Sequence, residues 1–214
     1  MPHPTPTILA VDRLAPDPDV VDRAARVLAG GGLVAYPTDT LYGLAVDPRR
    51  ADAVERLFRA KGRPAAMAVP LIAADMGQVA RDAGRFTPLA RALAGRFWPG
   101  PLTLVVAASA ALNPRLLGGG ATVAVRVPDH AVARALAVAL GHPVTATSAN
   151  RSGAPPATTA AAAAEAVGRD LACVLDAGPA EVTTPSTIVD ARGPAPMLLR
   201  PGAVAWDRVL NSLG

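Results

Sequence analysis

Apolar and polar positions along this chain alternate in two rhythms. Val20, Ala24, Val27 and Leu28 recur at helical spacing behind Asp19, which can cap, and Gly30 to Gly32 end the run. Leu33, Val34, Ala35 and Tyr36 make an apolar run of strand length, stopped by Pro37. Thr38-Asp39-Thr40-Leu41-Tyr42-Gly43-Leu44 follows as a polar segment past that strand's C-terminal end, the edge where open α/β sheets bind ligands. A helix over 51–60 carries Val54, Leu57 and Phe58 on one face; Lys61 and Arg63 then fall on a loop, before a short strand over 68–72. Thr87 with Pro88 at the first helical position starts a helix running to Phe97, and Trp98-Pro99-Gly100-Pro101 makes a rigid turn. Strands over 102–107 and 122–127 flank the Gly118-Gly119-Gly120 connector, and a helix covers 129–140. Val144-Thr145-Ala146 leads into Thr147-Ser148-Ala149-Asn150-Arg151-Ser152-Gly153, a second polar segment past a strand. The nearly pure Ala run over 158–167, capped by Thr158 and Thr159, reads as a helix. Strands over 173–176, 187–190 and 197–199 finish the sheet, and Arg200-Pro201-Gly202 is a last polar turn.

Strands alternate with helices at first, and then strands predominate. The expectation is an α/β fold with a single-domain, twisted, open mixed sheet flanked by helices. Residues 1–18, with five prolines, read as an irregular lead-in containing a short strand over 8–11; residues 19–214 read as one domain, without repeat or dividing linker. Of the 214 residues, 51% are hydrophobic and 18% charged, enough for a core; at 3% aromatic, that core must be Ala, Val and Leu. The net charge of +4 favours anionic partners such as nucleotides or RNA, but it is spread along the chain, unlike the dense patch of a dedicated nucleic-acid binder. The one cysteine, Cys173, excludes an intrachain disulfide and sits in an apolar run, as a buried strand residue would. His3, His130 and His142 lack metal-ligand spacing, so no metal ligands are assigned. With no signal-peptide pattern and no long apolar span, the chain reads as a soluble cytoplasmic protein.

Lys61 stands out against this background, because it is the one lysine among twenty arginines. A position that stays Lys suits a compact ammonium better than a planar fork. Four polar clusters follow strands or helix ends: Thr38-Asp39-Thr40, Lys61 with Arg63, Ser148 with Asn150, and Ser186 with Thr187. Arg126 and Arg200 lie at or near the ends of otherwise apolar strands. Taken singly, the hydroxyls and the amide can be satisfying turn backbone, and Arg126 must either be paired or reach a ligand. Together they suit an anion pocket for phosphate oxygens and a carboxylate. The chain has no Gly-x-x-x-x-Gly-Lys-Ser/Thr phosphate loop, dinucleotide fingerprint or Gly-x-Ser-x-Gly elbow, and Cys173 has no evident His partner. Covalent catalysis gives way to binding and positioning.

Seven stretches, in order, resemble the YrdC-like family of threonylcarbamoyl-adenylate synthases in its short, single-domain form. They are Tyr36 to Leu44, Ala60-Lys61-Gly62-Arg63-Pro64, Phe97 to Thr103, Val123 to Pro128, Ala146 to Asn150 with Ser152-Gly153, Ser186 to Asp190, and Leu199 to Gly202. The resemblance implies a twisted open α/β sheet with a large basic central cavity. It implies a nucleotidyltransferase that forms threonylcarbamoyl-AMP and pyrophosphate from L-threonine, bicarbonate (or CO₂) and ATP, with magnesium accompanying the nucleotide. It further implies tRNA threonylcarbamoyladenosine modification, completed by a separate transfer complex, and possible contact with tRNA. Carried over by position, Lys61, Arg63, Ser148 and Asn150 surround ATP and the reaction centre, with Lys61 and Arg63 catalytic; Thr122 and Arg200 add nucleotide contacts; Thr40, Arg126 and Ser186 form the threonine site. Asp39 and Asp190 are open candidates for the magnesium. The segment Ala65 to Leu71, with Met67, departs from the polar residues common there in the family. Rival readings are an RNA-binding module in tRNA or ribosome maturation, and a carbamoyl-adenylate activity like that of hydrogenase-maturation proteins.

Overall fold

The structure is a computed structural model that describes residues 5–62 and 67–214. Its strands form two mixed sheets. The first runs in the order β1 (Thr7–Ala10), β10 (Leu171–Asp176), β2 (Leu33–Tyr36), β3 (Gly43–Ala45), β9 (Thr147–Ser148). Its β1, β10 and β2 are parallel, and β3 is antiparallel to both neighbours. The second runs β12 (Met197–Arg200), β11 (Thr187–Asp190), β6 (Leu102–Ala108), β7 (Thr122–Arg126), β4 (Leu71–Ile72), β8 (Val144–Thr145), with β5 (Gly84–Arg85) beside β6. The helices are α1 (Pro18–Ala29), α2 (Ala51–Lys61), α3 (Met76–Gln78), α4 (Pro88–Phe97), α5 (Ala131–Leu140), α6 (Ala160–Val167) and α7 (Trp206–Asn211). None among the described residues is long and apolar enough to cross a membrane.

Strand β2 shows how sequence becomes layers. All four of its residues are buried, and successive side chains point to opposite faces. Leu33 and Ala35 pack with Val54, Leu57 and Phe58 of α2 and Ala160 and Ala163 of α6. Val34 and Tyr36 pack with Ala24 and Leu28 of α1 and Val132 and Leu136 of α5. A separate apolar layer joins β6, β7 and β11 to α4 and Val209 of α7. Each Leu or Val fully removed from water here contributes about 1.5–3 kcal/mol. The methyl-rich core expected from the aromatic-poor composition is what fills these layers.

The mixed α/β sheet architecture flanked by helices is therefore present, divided in two. The division is local and sharp at Ala146. Val144 and Thr145 pair with β4 in the second sheet, while Thr147 and Ser148 pair with β3 in the first. The seam is held by hydrogen bonds: the Tyr36 hydroxyl donates to the Thr145 carbonyl at 3.1 Å, and the Thr145 hydroxyl accepts from the Val46 amide at 2.9 Å.

Several boundaries differ from the sequence reading. Asp17 caps α1, accepting from the Asp19 amide at 2.9 Å, because Pro18 opens the helix and Asp19 is already inside it. The strand expected over 68–72 contracts to two residues. Helix α5 starts at Ala131 behind His130. Most relevant to function, Lys61 closes the last turn of α2 and does not lie on a loop. Gly62, at φ 59°, takes the left-handed conformation that stops the helix there.

Candidate functional site

A cavity of about 630 Å³ opens where the two sheets meet, within the roughly 300–1,000 Å³ range of small-molecule sites. The first sheet and its attached segments supply Thr38, Thr40, Lys61, Ser148 and Asn150 to its wall. The second supplies Thr103, Arg126, Ser186 and Arg200. Met67 also lines it and is half exposed.

Lys61 is only 4% exposed, and that burial dictates its chemistry. Its ammonium donates to the Ser148 carbonyl at 2.6 Å, the Asn150 carbonyl at 2.8 Å and Asn150 Oδ1 at 3.3 Å. In return the Lys61 carbonyl accepts from the Ser152 amide at 2.9 Å. The Ser148 hydroxyl donates to Asn150 Oδ1, and Asn150 Nδ2 donates to the Ala154 carbonyl. A buried charge has to be hydrogen-bonded, and three carbonyl-type oxygens around one ammonium meet that need. The cation also sits at a helix C-terminus, where the dipole favours it. Lys61 thus reaches the cavity as the clamp on the loop from Ser148 to Gly153.

Arg126 ends β7 and shares its face with Ala124 and Thr122. It is buried, forms an ion pair with Asp39, and brings Nη2 within 3.4 Å of the Thr40 hydroxyl. The Thr40 hydroxyl lies 3.1 Å from that of Thr38, which itself caps the turn by accepting from the Thr40 and Leu41 amides. Pairing and facing the cavity appeared as alternatives for Arg126 in the sequence; the structure has both.

Arg200 ends β12 and donates from Nη2 to the Ser186 carbonyl at 2.7 Å and the Ser186 hydroxyl at 3.2 Å. The Ser186 hydroxyl lies 2.8 Å from that of Thr103. Gly202 makes the approach possible: a Cβ there would sit 2.3 Å from the Pro185 carbonyl oxygen. Burial of its charge, and then the charge of Arg126, lower the Arg200 pKa from its ordinary value. Among the described residues, no carboxylate pairs with Arg200. Two guanidinium groups therefore face one cavity, and the carboxylate that pairs with Arg126, Asp39, lies outside its lining, which is a setting for anions.

Seven of the nine residues singled out in the sequence (Thr40, Lys61, Arg126, Ser148, Asn150, Ser186 and Arg200) line this one cavity. Thr122 is on the same face of β7 but not in the wall. Arg63 lies outside the described residues. Thr38 belongs to a polar cluster named in the sequence but has no site role there, and Thr103 and the pairing role of Asp39 are not singled out; a threonine inside the apolar run of β6 is the available signal for Thr103. Asp190 is engaged elsewhere, accepting from Arg192 Nη2 at 2.6 Å and Nε at 2.9 Å. Burial pushes the Cys173 thiol up to about 11, so it is a poor nucleophile at neutral pH. His142 Nε2 contacts Asp47 at 2.8 Å, away from the cavity. Burial, and then Arg13, push His130 down to about 4, leaving it neutral.

The fold and this cavity define an α/β protein with a cationic pocket between two sheets. The chain belongs to the Sua5/YciO/YrdC family, whose model, described as telomere recombination, matches residues 26–202. It is 37% identical over 204 residues to the threonylcarbamoyl-AMP synthase of Bacillus subtilis, covering 95% of this chain and 59% of that one. It is 45% identical over 163 residues to the threonylcarbamoyl-AMP synthase of Thiobacillus denitrificans, covering 76% of this chain and 86% of the relative. The crystal structure of Pyrococcus abyssi Sua5 complexed with L-threonine superimposes with a TM-score of 0.91 at 38% identity, over 97% of this chain and 61% of the other. The chain thus spans about three fifths of the Bacillus and Pyrococcus relatives.

Proposed function

We propose that this chain is a threonylcarbamoyl-AMP synthase that consumes L-threonine, bicarbonate (or CO₂) and ATP. The observation that carries the reading is the gathering of Arg126, Arg200, Lys61, Ser148, Asn150, Thr40 and Ser186 around one cavity. Relatives of that activity by name, and a close structural neighbour complexed with L-threonine, support it.

In this reading the threonine amine adds to CO₂, giving a carbamate and releasing a proton. A carbamate oxygen then attacks the α-phosphorus of ATP, the bond to the β-phosphate oxygen breaks, and pyrophosphate leaves. Nothing becomes attached to the protein, in keeping with an unreactive Cys173. Arg126 holds the threonine carboxylate, with the hydroxyls of Thr40 and Ser186 beside it. Arg200 and the loop clamped by Lys61, carrying Ser148 and Asn150, receive the nucleotide, with Thr122 and Arg63 as further contacts. Donors fixed in advance around developing phosphate charge lower the barrier without reorganising. The described residues group no acidic ligands for a metal ion, and Asp39, the carboxylate adjoining the cavity, is engaged by Arg126 and the Asp129 amide, so magnesium accompanying the triphosphate would be held by its phosphate oxygens. The product, a mixed anhydride, then passes to a separate complex that modifies tRNA.

The test is pyrophosphate release by the purified chain with each substrate omitted in turn. Release that requires ATP, L-threonine and bicarbonate together is expected. Release that continues at the same rate without threonine would remove the proposal.

A further inference from the structure

Asp39 has no role in the reading above, yet its carboxylate joins three segments. Its Oδ1 takes the Nη1 edge of Arg126, and its Oδ2 accepts from the Asp129 amide at 3.1 Å. Asp39 belongs to the loop between β2 and β3, Arg126 is the last residue of β7, and Asp129 lies just before α5. The contact therefore bridges the first sheet, the second sheet and the approach to a helix. Both partners are largely sequestered, at 8% side-chain exposure for Arg126 and 11% for Asp39, so the pair is weakly screened.

The geometry fixes what remains of Arg126 for a ligand. With Nη1 held by Asp39, the Nη2 side is left toward Thr40 and the cavity. An arginine at a strand end would otherwise sample several rotamers, each presenting a different edge of its fork. Arg200 carries a like charge on the same cavity, its pKa lowered by burial and then by the charge of Arg126, and that repulsion opposes a swing toward it.

We propose that Asp39 is the positioning residue of the amino-acid subsite, acting through Arg126: it holds the guanidinium so that one chosen edge meets the substrate carboxylate. The inference rests on the proposed function and deepens it. Asp39 touches no substrate atom; its effect passes through the arginine. It follows that replacing it hurts one substrate and spares the other, and that the effect disappears once Arg126 is gone.

The experiment is a double-mutant cycle on the full chain, read as kcat/KM for threonine from initial slopes and, separately, kcat/KM for ATP. Asp39→Asn keeps the shape and an oxygen for the Asp129 amide but removes the charge. It is expected to lower kcat/KM for threonine on the order of tenfold, the scale of one hydrogen bond to a charged group, with ATP roughly unaffected. In an Arg126→Ala background the same substitution is expected to change threonine kcat/KM little. Equal losses for both substrates would mean a merely structural role and overturn the proposal. An undiminished effect in the Arg126→Ala background would mean that Asp39 meets the threonine ammonium itself, and would also overturn it. Should Asp39→Asn not fold, Asp39→Glu keeps the charge one methylene further out and is expected to show the same split between substrates; an equal loss again decides against it. Pyrophosphate release by the unsubstituted chain that ignores threonine is a separable failure, of the proposed function, and takes this inference with it.

Discussion

At Lys61, burial and hydrogen bonding decide what a substitution does. On a loop, removal of the side chain would leave the fold untouched. In the last turn of α2, with its ammonium against two backbone carbonyls and an amide oxygen, the same change takes the donor from the buried Asn150 carbonyl, while the Ser148 carbonyl keeps the Asn150 amide and Asn150 Oδ1 keeps the Ser148 hydroxyl. A buried polar group left unsatisfied costs about 1–3 kcal/mol. Lys61→Ala is therefore expected to lower the unfolding free energy by about 2 kcal/mol, measured by denaturant melting, as well as to abolish adenylate formation. Lys61→Arg is expected to restore neither, because a planar fork does not converge on three oxygens the way an ammonium does. Unchanged stability in Lys61→Ala would show that the clamp contributes nothing. That Lys61 mattered was legible from its being the one lysine among twenty arginines. What it held was not, because its acceptors lie 87 and 89 positions away.

Among the elements, those with end signals in the sequence were read almost to the residue. Helix α4 is the clearest case. Thr87 accepts from the Ala90 amide at 3.0 Å, and Pro88 fills the first helical position, as the local pattern specified. The structure adds that the same hydroxyl donates to the Ala191 carbonyl at 2.6 Å, just past β11. The cap is thus also a tie between α4 and the sheet that carries Ser186 and Arg200. Thr87→Ala is expected to cost about 1–2 kcal/mol in unfolding free energy, at or above the usual value for a lost cap because a second hydrogen bond goes with it. Thr87→Ser, which keeps both bonds, is expected to recover most of that in the same melt; no recovery would point to the lost methyl packing instead. Weaker elements were misplaced where the pattern was short. Strand β4 has two residues, and β8 and β9 are two residues each, separated by Ala146 alone. No periodicity survives in so few positions, so the division into two sheets was hidden there.

At the scale of the whole molecule, the cavity exists because that division exists. Each sheet delivers part of the polar set: one brings the Lys61 clamp and the Thr38–Thr40 turn, the other brings Arg126, Ser186 and Arg200. Polar residues past strand ends were visible in the chain, and their convergence follows from chain crossings that composition cannot show. The outcome is a cavity with two guanidiniums and one adjoining carboxylate, and this polarity can be tested apart from turnover. A polyanion that binds the folded chain stabilises it by mass action, by about 2.7 kcal/mol at a hundredfold excess over its dissociation constant. Inorganic pyrophosphate is accordingly expected to raise the melting temperature of this protein well above that in chloride at matched ionic strength. The rise should shrink in Arg200→Ala and vanish in the chain carrying both Arg126→Ala and Arg200→Ala. Because surface arginines remain in every variant, a shift of equal size in the doubly substituted chain would mean that pyrophosphate binds the general positive surface, and that the two guanidiniums do not make the cavity an anion site.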